Sequence, residues 1–236
     1  MMKMRKNGFT IIEVMIAMVI GLVIMVAVYG FMSLVQKNSS NVDRKIVTFQ
    51  DTRTVLDLMA TEIRMASYNP NHNITNWNTV PACASMAGWG GSAVPVTANR
   101  GIQVADANNI LIAMDLDGNA TIGDQPATSP NEYIMYSYDA VNADITRNVS
   151  CGGNSVILGG AAPGSNVRNT VGGVTIVPLF QYYDNTNTLM PAPINIPAIR
   201  RILITIIADT ADIDLNTKQP KRMVYSTSVI VRNHAF

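Results

Sequence analysis

Hydrophobic and polar positions divide this chain sharply at Val35. Between Phe9 and Val35 the one charged side chain is Glu13, and Val14–Val35 carries no charge. That uncharged run matches the roughly 20 residues that an apolar helix needs to cross a bilayer. An ionised carboxylate within such a segment costs about 2.5–3.5 kcal/mol at a helix centre, so Glu13 is expected to have a function. After Val35 the pattern becomes one-sided. Val42, Ile46, Phe49, Leu56, Met59 and Ile63 recur at helical spacing, interrupted once by Arg53, as an amphipathic helix requires. Pro70 disfavours a helical residue before it and sets the stop near Tyr68. One helix over 9–67 would be about 85–90 Å long at 1.5 Å per residue.

Past Pro70 the helical period disappears. Residues 69–100, rich in Asn, Gly, Pro and Ala, read as a long loop. Strand-like runs follow between turn signals: NILIAM, NEYIMYSYD, GGVTIVPLFQYYD, AIRRILITIIAD and RMVYSTSVIVRN. In the last, Met223, Tyr225, Thr227, Val229 and Val231 share one face and Ser226, Ser228 and Arg232 the other, the alternation of a half-buried strand. The tyrosines of YIMYSY and QYY are expected to pack within the sheet. CGGNSVILGGAAPGS, at 151–165, reads as a glycine-rich loop. The expected fold is α+β, a long N-terminal helix packed on an antiparallel sheet. The divisions are a basic leader at 1–8, a transmembrane half-helix at 9–35, an amphipathic half-helix at 36–68, the loop at 69–100 and a sheet domain at 101–236.

Charge refines this picture. The chain has 17 basic and 16 acidic residues, for a net charge of +1. Three bases, Lys3, Arg5 and Lys6, precede Phe9; the remainder has 14 bases against 16 acids, so no large basic field is left for nucleic acid. The basic leader places the short N-terminus in the cytoplasm and the bulk of the chain outside. The apolar run is longer than the core of a removable secretory signal, and no A-x-A pattern closes it.

Little catalytic chemistry is visible. The two histidines, His72 and His234, form no Ser/His/Asp set or Cys/His metal spacing in the sequence. In AMDLDGNATIGDQ, oxygen-bearing side chains at Asp115, Asp117, Asn119 and Thr121, then Ile122 and Asp124, resemble the first two-thirds of an EF-hand calcium loop. Gly118 falls two positions early for that motif, which needs its glycine directly after Asn119, and Pro126 stands where its closing glutamate belongs. The alternative is a polar turn between strands. Cys83 and Cys151 suit an oxidising compartment. The choice is between two free thiols and a bridge pinning the long loop to the sheet; closing about 68 residues is worth roughly 4 kcal/mol in the chain-entropy model.

The stretch KNGFTIIEVMIAMVIG resembles the N-terminal motif of type IV prepilins and type II secretion pseudopilins: basic leader, glycine, phenylalanine, and glutamate four residues after the phenylalanine. RMVYSTSVIVRN and IRRILITI resemble the closing strands of PilW-type minor pilins and J-type pseudopilins. The resemblance implies a structural subunit that is not an enzyme. A prepilin peptidase would cut between Gly8 and Phe9 and N-methylate Phe9. Glu13 would then meet the new N-terminal amine of a neighbouring subunit, while its Thr10-Ile-Ile-Glu13 setting also fits a capping box within its own chain. The implied partners are the peptidase, other minor pilins, a major pilin, the inner membrane and the assembly platform. The implied location is the inner membrane, crossed once with the C-terminal domain in the periplasm, and later a filament. Many major pilins carry a proline deep in the apolar helix; this chain has Gly21 and Gly30 there and no proline before Pro70.

Overall fold

The computed structural model describes residues 8, 10–72, 77, 99–122, 131–160, 166–210, 213–214 and 217–235. Phe9, Cys83 and Asp124 lie outside them. A single helix, α1, runs over Ile11–Arg64, about 81 Å at 1.5 Å per residue. Thr10 caps its first turn in extended backbone. It ends three residues before the expected Ser67 because that residue turns into the left-handed region (φ 64°) and donates its N–H to Ala113 O at 2.9 Å instead of to its own helix. Gly21 and Gly30 do not interrupt it.

The outer domain is all antiparallel, but in two main sheets instead of one. Five strands, β1 (Ile102–Ala105), β2 (Asn109–Ala113), β3 (Tyr133–Asp139), β4 (Asp144–Val149) and β5 (Asn154–Gly159), form a meander in sequence order. Then come β6 (Asn166–Val167), a small ribbon of β7 (Thr170–Val171) and β8 (Val174–Thr175), β9 (Phe180–Tyr183), β10 (Arg201–Asp209) and β11 (Arg222–Ile230). β10 is the centre of the second sheet: it pairs over all nine residues with β11 and on its other edge with β9 and β6. Pairing on both edges suits its almost continuous apolar run RILITIIAD.

Sheet and helix share one core. Leu56, Met59 and Ile63 of α1 pack among Ile110, Ile134, Ile145, Ile202, Ile204 and Val229. The expected helical stripe is correct in this half and displaced in the other. Val42, Ile46 and Phe49 remain roughly half exposed, while Asn41, Thr48 and Thr52 are buried. These small polar residues are accommodated because their polar atoms have partners: Thr52 Oγ1 donates to Thr48 O at 2.7 Å, and Asn41 Nδ2 donates to Asp214 Oδ1 at 3.2 Å. The expected glycine-rich loop is also corrected. Its Asn154–Gly159 segment is an edge strand on β4, with Val156 and Leu158 supplying the strand character inside the glycines. Tyr133, Tyr136, Tyr138 and Tyr182 are buried in the packing.

A smaller core covers the other face of the meander, where Leu111, Ala113, Tyr133 and Met135 meet Trp77 and Ile122. Cys151 packs against it and is disulfide-bonded; the chain's other cysteine is Cys83, outside the described residues.

Near the C-terminus, His234 is buried against the turn that follows α1 and the segment before β10. Its Nε2 lies 2.9 Å from Ile196 O, a carbonyl that only accepts, so Nε2 carries the proton. Nδ1 of the neutral ring then accepts from Ser67 Oγ at 3.0 Å, and Ser67 Oγ accepts from Gly101 N at 3.0 Å. Gly101 permits this approach: a Cβ there would lie 2.2 Å from Ser67 N and 2.3 Å from Ala113 O. Burial first, and the charges of Arg200 and Arg100 next, hold the His234 pKa below its ordinary value, against the raising effect of the Ile196 bond. The unfolded chain therefore binds the proton more readily than the fold does. The stability from His234 is complete above the ordinary histidine value of about 6.5 and is lost as pH falls through the lower folded value. Thermal melts from about pH 7.5 to about pH 5 are expected to show this loss. In His234→Gln that part of the pH dependence should flatten.

Candidate functional site

The N-terminal site is built on the first turn of α1. Thr10 and Glu13 complete a capping box: Glu13 N donates to Thr10 Oγ1 at 3.3 Å, and Thr10 N donates to Glu13 Oε2 at 3.0 Å. Thr10 Oγ1 also donates to Oε2, at 3.1 Å. These bonds satisfy amides that a helix start leaves without intrahelical partners. Both bonds to the carboxylate use Oε2; Oε1 makes no hydrogen bond among the described residues. The side chain is exposed, as are the apolar side chains from Ile11 to Val35 around and beyond it. Gly8 is exposed, and a Cβ built on it would meet nothing within 4 Å. The glycine is therefore not required by packing within this chain.

The acidic loop after β2 is a second candidate. Asp115 and Glu132 are fully buried, and with exposed Asp117 their carboxylate oxygens lie within 4.8 Å of one another. Asp115 accepts from Gly118 N at 2.7 Å and from Ala120 N at 3.1 Å, which fixes the turn. Asp115 N donates to Tyr68 O at 2.9 Å, tying the loop to the helix end. Of the expected oxygen donors, the structure brings together Asp115 and Asp117. Asn119 is directed locally: its Oδ1 accepts from Thr121 N at 2.7 Å and its Nδ2 donates to Asp117 Oδ2 at 2.9 Å. Thr121 is exposed, and Asp124 lies outside the described residues. Glu132 is absent from the linear motif, although the hairpin register carries the signal. Ala113 pairs with Tyr133, and Met114 N donates to Glu132 O at 2.7 Å, so Glu132 arrives beside Asp115.

A cleft of about 420 Å³ lies between the β1–β2 turn, β9 and residues 189–194. It is lined mainly by apolar groups such as Phe180, Tyr182, Met190 and Ile194. The Asp106 carboxylate at its edge accepts from Asn108 N at 2.8 Å and Asn109 N at 2.7 Å, so it serves the turn.

A helix passing from a bilayer-length apolar run into the core of an antiparallel domain defines an α+β protein of the pilin-like type. Residues 3–29 match the family model described as the prokaryotic N-terminal methylation motif. No curated protein and no solved structure matches the chain. The motif supports a type IV pilin-like precursor, a substrate of prepilin peptidase anchored through its apolar helix, and proteins of this type are structural subunits.

Proposed function

We propose that this chain is a minor pilin or pseudopilin that helps prime or cap a type IV pilus-like filament. The observation carrying this reading is the position of Glu13: within the methylation motif, exposed, with Oε1 free of hydrogen bonds among the described residues. Oε2 serves the capping box while Oε1 retains acceptor capacity for a neighbour's ammonium. Cutting between Gly8 and Phe9 creates such an ammonium, and N-methylation of Phe9 leaves it charged. A buried charge pair has one favourable position along helices that could otherwise slide, so it sets axial register. Other minor pilins, a major pilin and the assembly platform are the proposed partners. The domain would occupy the periplasm before assembly and the extracellular filament afterwards. N-terminal sequencing of membrane-extracted protein is expected to begin at N-methylated Phe9; a mature chain still beginning at Met1 would overturn the proposal. The same result separates it from a signal-anchored periplasmic binding module that never enters a filament. A J-type pseudopilin of type II secretion is the alternative within the same machinery, distinguished by whether the protein is recovered with pili or with secretion pseudopili.

The Asp115–Asp117–Glu132 convergence favours calcium as a structural ion, with Glu132 supplying the acid that the linear motif lacks. Calcium is expected to raise the melting temperature of the full chain, with the rise abolished in Glu132→Gln and reversed by chelation. An unchanged melting temperature at millimolar calcium would exclude the site. The Cys151 bridge is proposed to close on Cys83.

A further inference from the structure

The hairpin formed by β10 and β11 lies along α1 towards the membrane. Tyr225 of β11 meets Phe49 with ring centroids 5.7 Å apart. Further down, the loop joining the strands docks on the helix through Asp214, which accepts from Asn41 at 3.2 Å and pairs with Lys221 Nζ at 3.4 Å. Thr217 N also donates to Asp214, at 3.2 Å, holding the turn. Asn41 is six residues beyond Val35 on one unbroken helix, so the docking point lies about 9 Å beyond the end of the apolar run. The headgroup layer adds about 5–7 Å to each side of the hydrocarbon core, and a tilt of about 20° is ordinary for a spanning helix. A tilt towards the hairpin brings its tip to the lipid surface.

The composition of this level suits that surface. Residues 37–45 and 210–221 together carry five basic and three acidic residues; the rest of the chain from Phe9 onward carries nine bases against thirteen acids. Lys37 on the helix and Lys218 in the loop are exposed, and Ile213, next in sequence to the docked Asp214, is 52% exposed. Net charge is thus positive near the membrane and negative further out. We propose that the β10–β11 loop and the helix turn on which it docks form a basic collar that rests on anionic phospholipid headgroups while the protein is in the membrane. This rests on the reading that the run ending at Val35 spans the bilayer. The occupant follows from the helix: the hydrocarbon boundary it fixes is the surface adjacent to the loop. Contact there would hold the outer domain at one tilt before filament entry, and the exposed apolar Ile213 would enter the interfacial layer.

Spin labels on the full-length protein test this in vesicles of phosphatidylcholine, with or without phosphatidylglycerol. A label at Thr217→Cys keeps the backbone bond to Asp214; labels at Val26→Cys and at Val141→Cys, on the β3–β4 turn, report the span and open solvent. The expected result is that phosphatidylglycerol shields the 217 label from a water-soluble nickel complex and leaves the 141 label unchanged. High salt should reverse the shielding. So should Lys37→Gln with Lys218→Gln, each lysine shifting the population in contact about fivefold. Equal nickel accessibility at 217 in both lipids, with the 26 label shielded, would overturn the collar and leave the span intact. Nickel accessibility at 26 would overturn both.

Discussion

Glu13→Val is expected to yield a protein that is still cleaved and N-methylated but absent from filaments. The substitution removes one carboxylate from an exposed position, so neither the outer core nor the Gly8–Phe9 peptide is disturbed. Within the chain it removes the reciprocal half of the capping box, the Thr10 N bond to Oε2, and leaves the bond from the residue 13 N–H to Thr10 Oγ1 in place. In the proposed filament it removes the partner of a neighbour's ammonium in apolar surroundings. Two unit charges about 4 Å apart attract by roughly 4 kcal/mol at an effective dielectric of 20, and an ammonium left buried without that partner keeps its desolvation cost uncompensated. The attraction between chains outweighs the cap within one, so assembly and not folding should fail. Immunoblots of membranes and of sheared fibres make the measurement. Methylated Glu13→Val protein in fibres at the wild-type level would eliminate the pairing role. Glu13→Gln separates the two functions, since it retains an acceptor oxygen for the cap and loses the charge.

The second large effect is expected where the helix is fastened to the meander. Glu62 projects from α1 into the sheet, and Arg147 of β4 grips it with two bonds, Nε to Oε2 at 3.0 Å and Nη2 to Oε1 at 2.5 Å. Tyr136 of β3 donates its hydroxyl to the same Oε2. Burial first, and the Glu62 carboxylate next, push the Tyr136 phenol far above its ordinary range, so it remains a donor. The Glu62 and Arg147 side chains are only 16% and 22% exposed. Removing one partner of a buried pair costs about 3–5 kcal/mol because the other is left desolvated; the residual exposure here places Arg147→Ala near 3 kcal/mol. Tyr136→Phe should cost about 1 kcal/mol. Denaturant unfolding of the detergent-solubilised chain measures both, and a double-mutant cycle with Glu62→Ala isolates the coupling. A loss below about 1 kcal/mol for Arg147→Ala would reduce the clamp to an ordinary surface pair.

This clamp also shows what the sequence conceals. Asp144–Val149 reads DITRNV, and its arginine hides a strand that is otherwise well marked by Ile145. Arg147 is tolerated facing the helix only because Glu62, 85 residues away, meets it there. The helical stripe is legible at Leu56, Met59 and Ile63, where apolar area decides burial. It is misread at Val42, Ile46 and Phe49, because threonines bonded to their own helix can occupy the buried face as readily. The strands that become β2, β3, β10 and β11 are visible from alternation or apolar runs, whereas their division into two sheets depends on long-range pairing that no local pattern carries. The Thr10–Glu13 cap is local and can be read directly. Glu132 needs the β2–β3 register, which becomes apparent only once the hairpin is identified.

The uninterrupted course of α1 also has a mechanical meaning. No hinge separates the turns around Glu13 from those bearing Met59 and Ile63, so a pull along the axis reaches the outer domain without slack. Whatever draws the shaft upward must lift the head at the same instant, and any load on the head is felt at the foot.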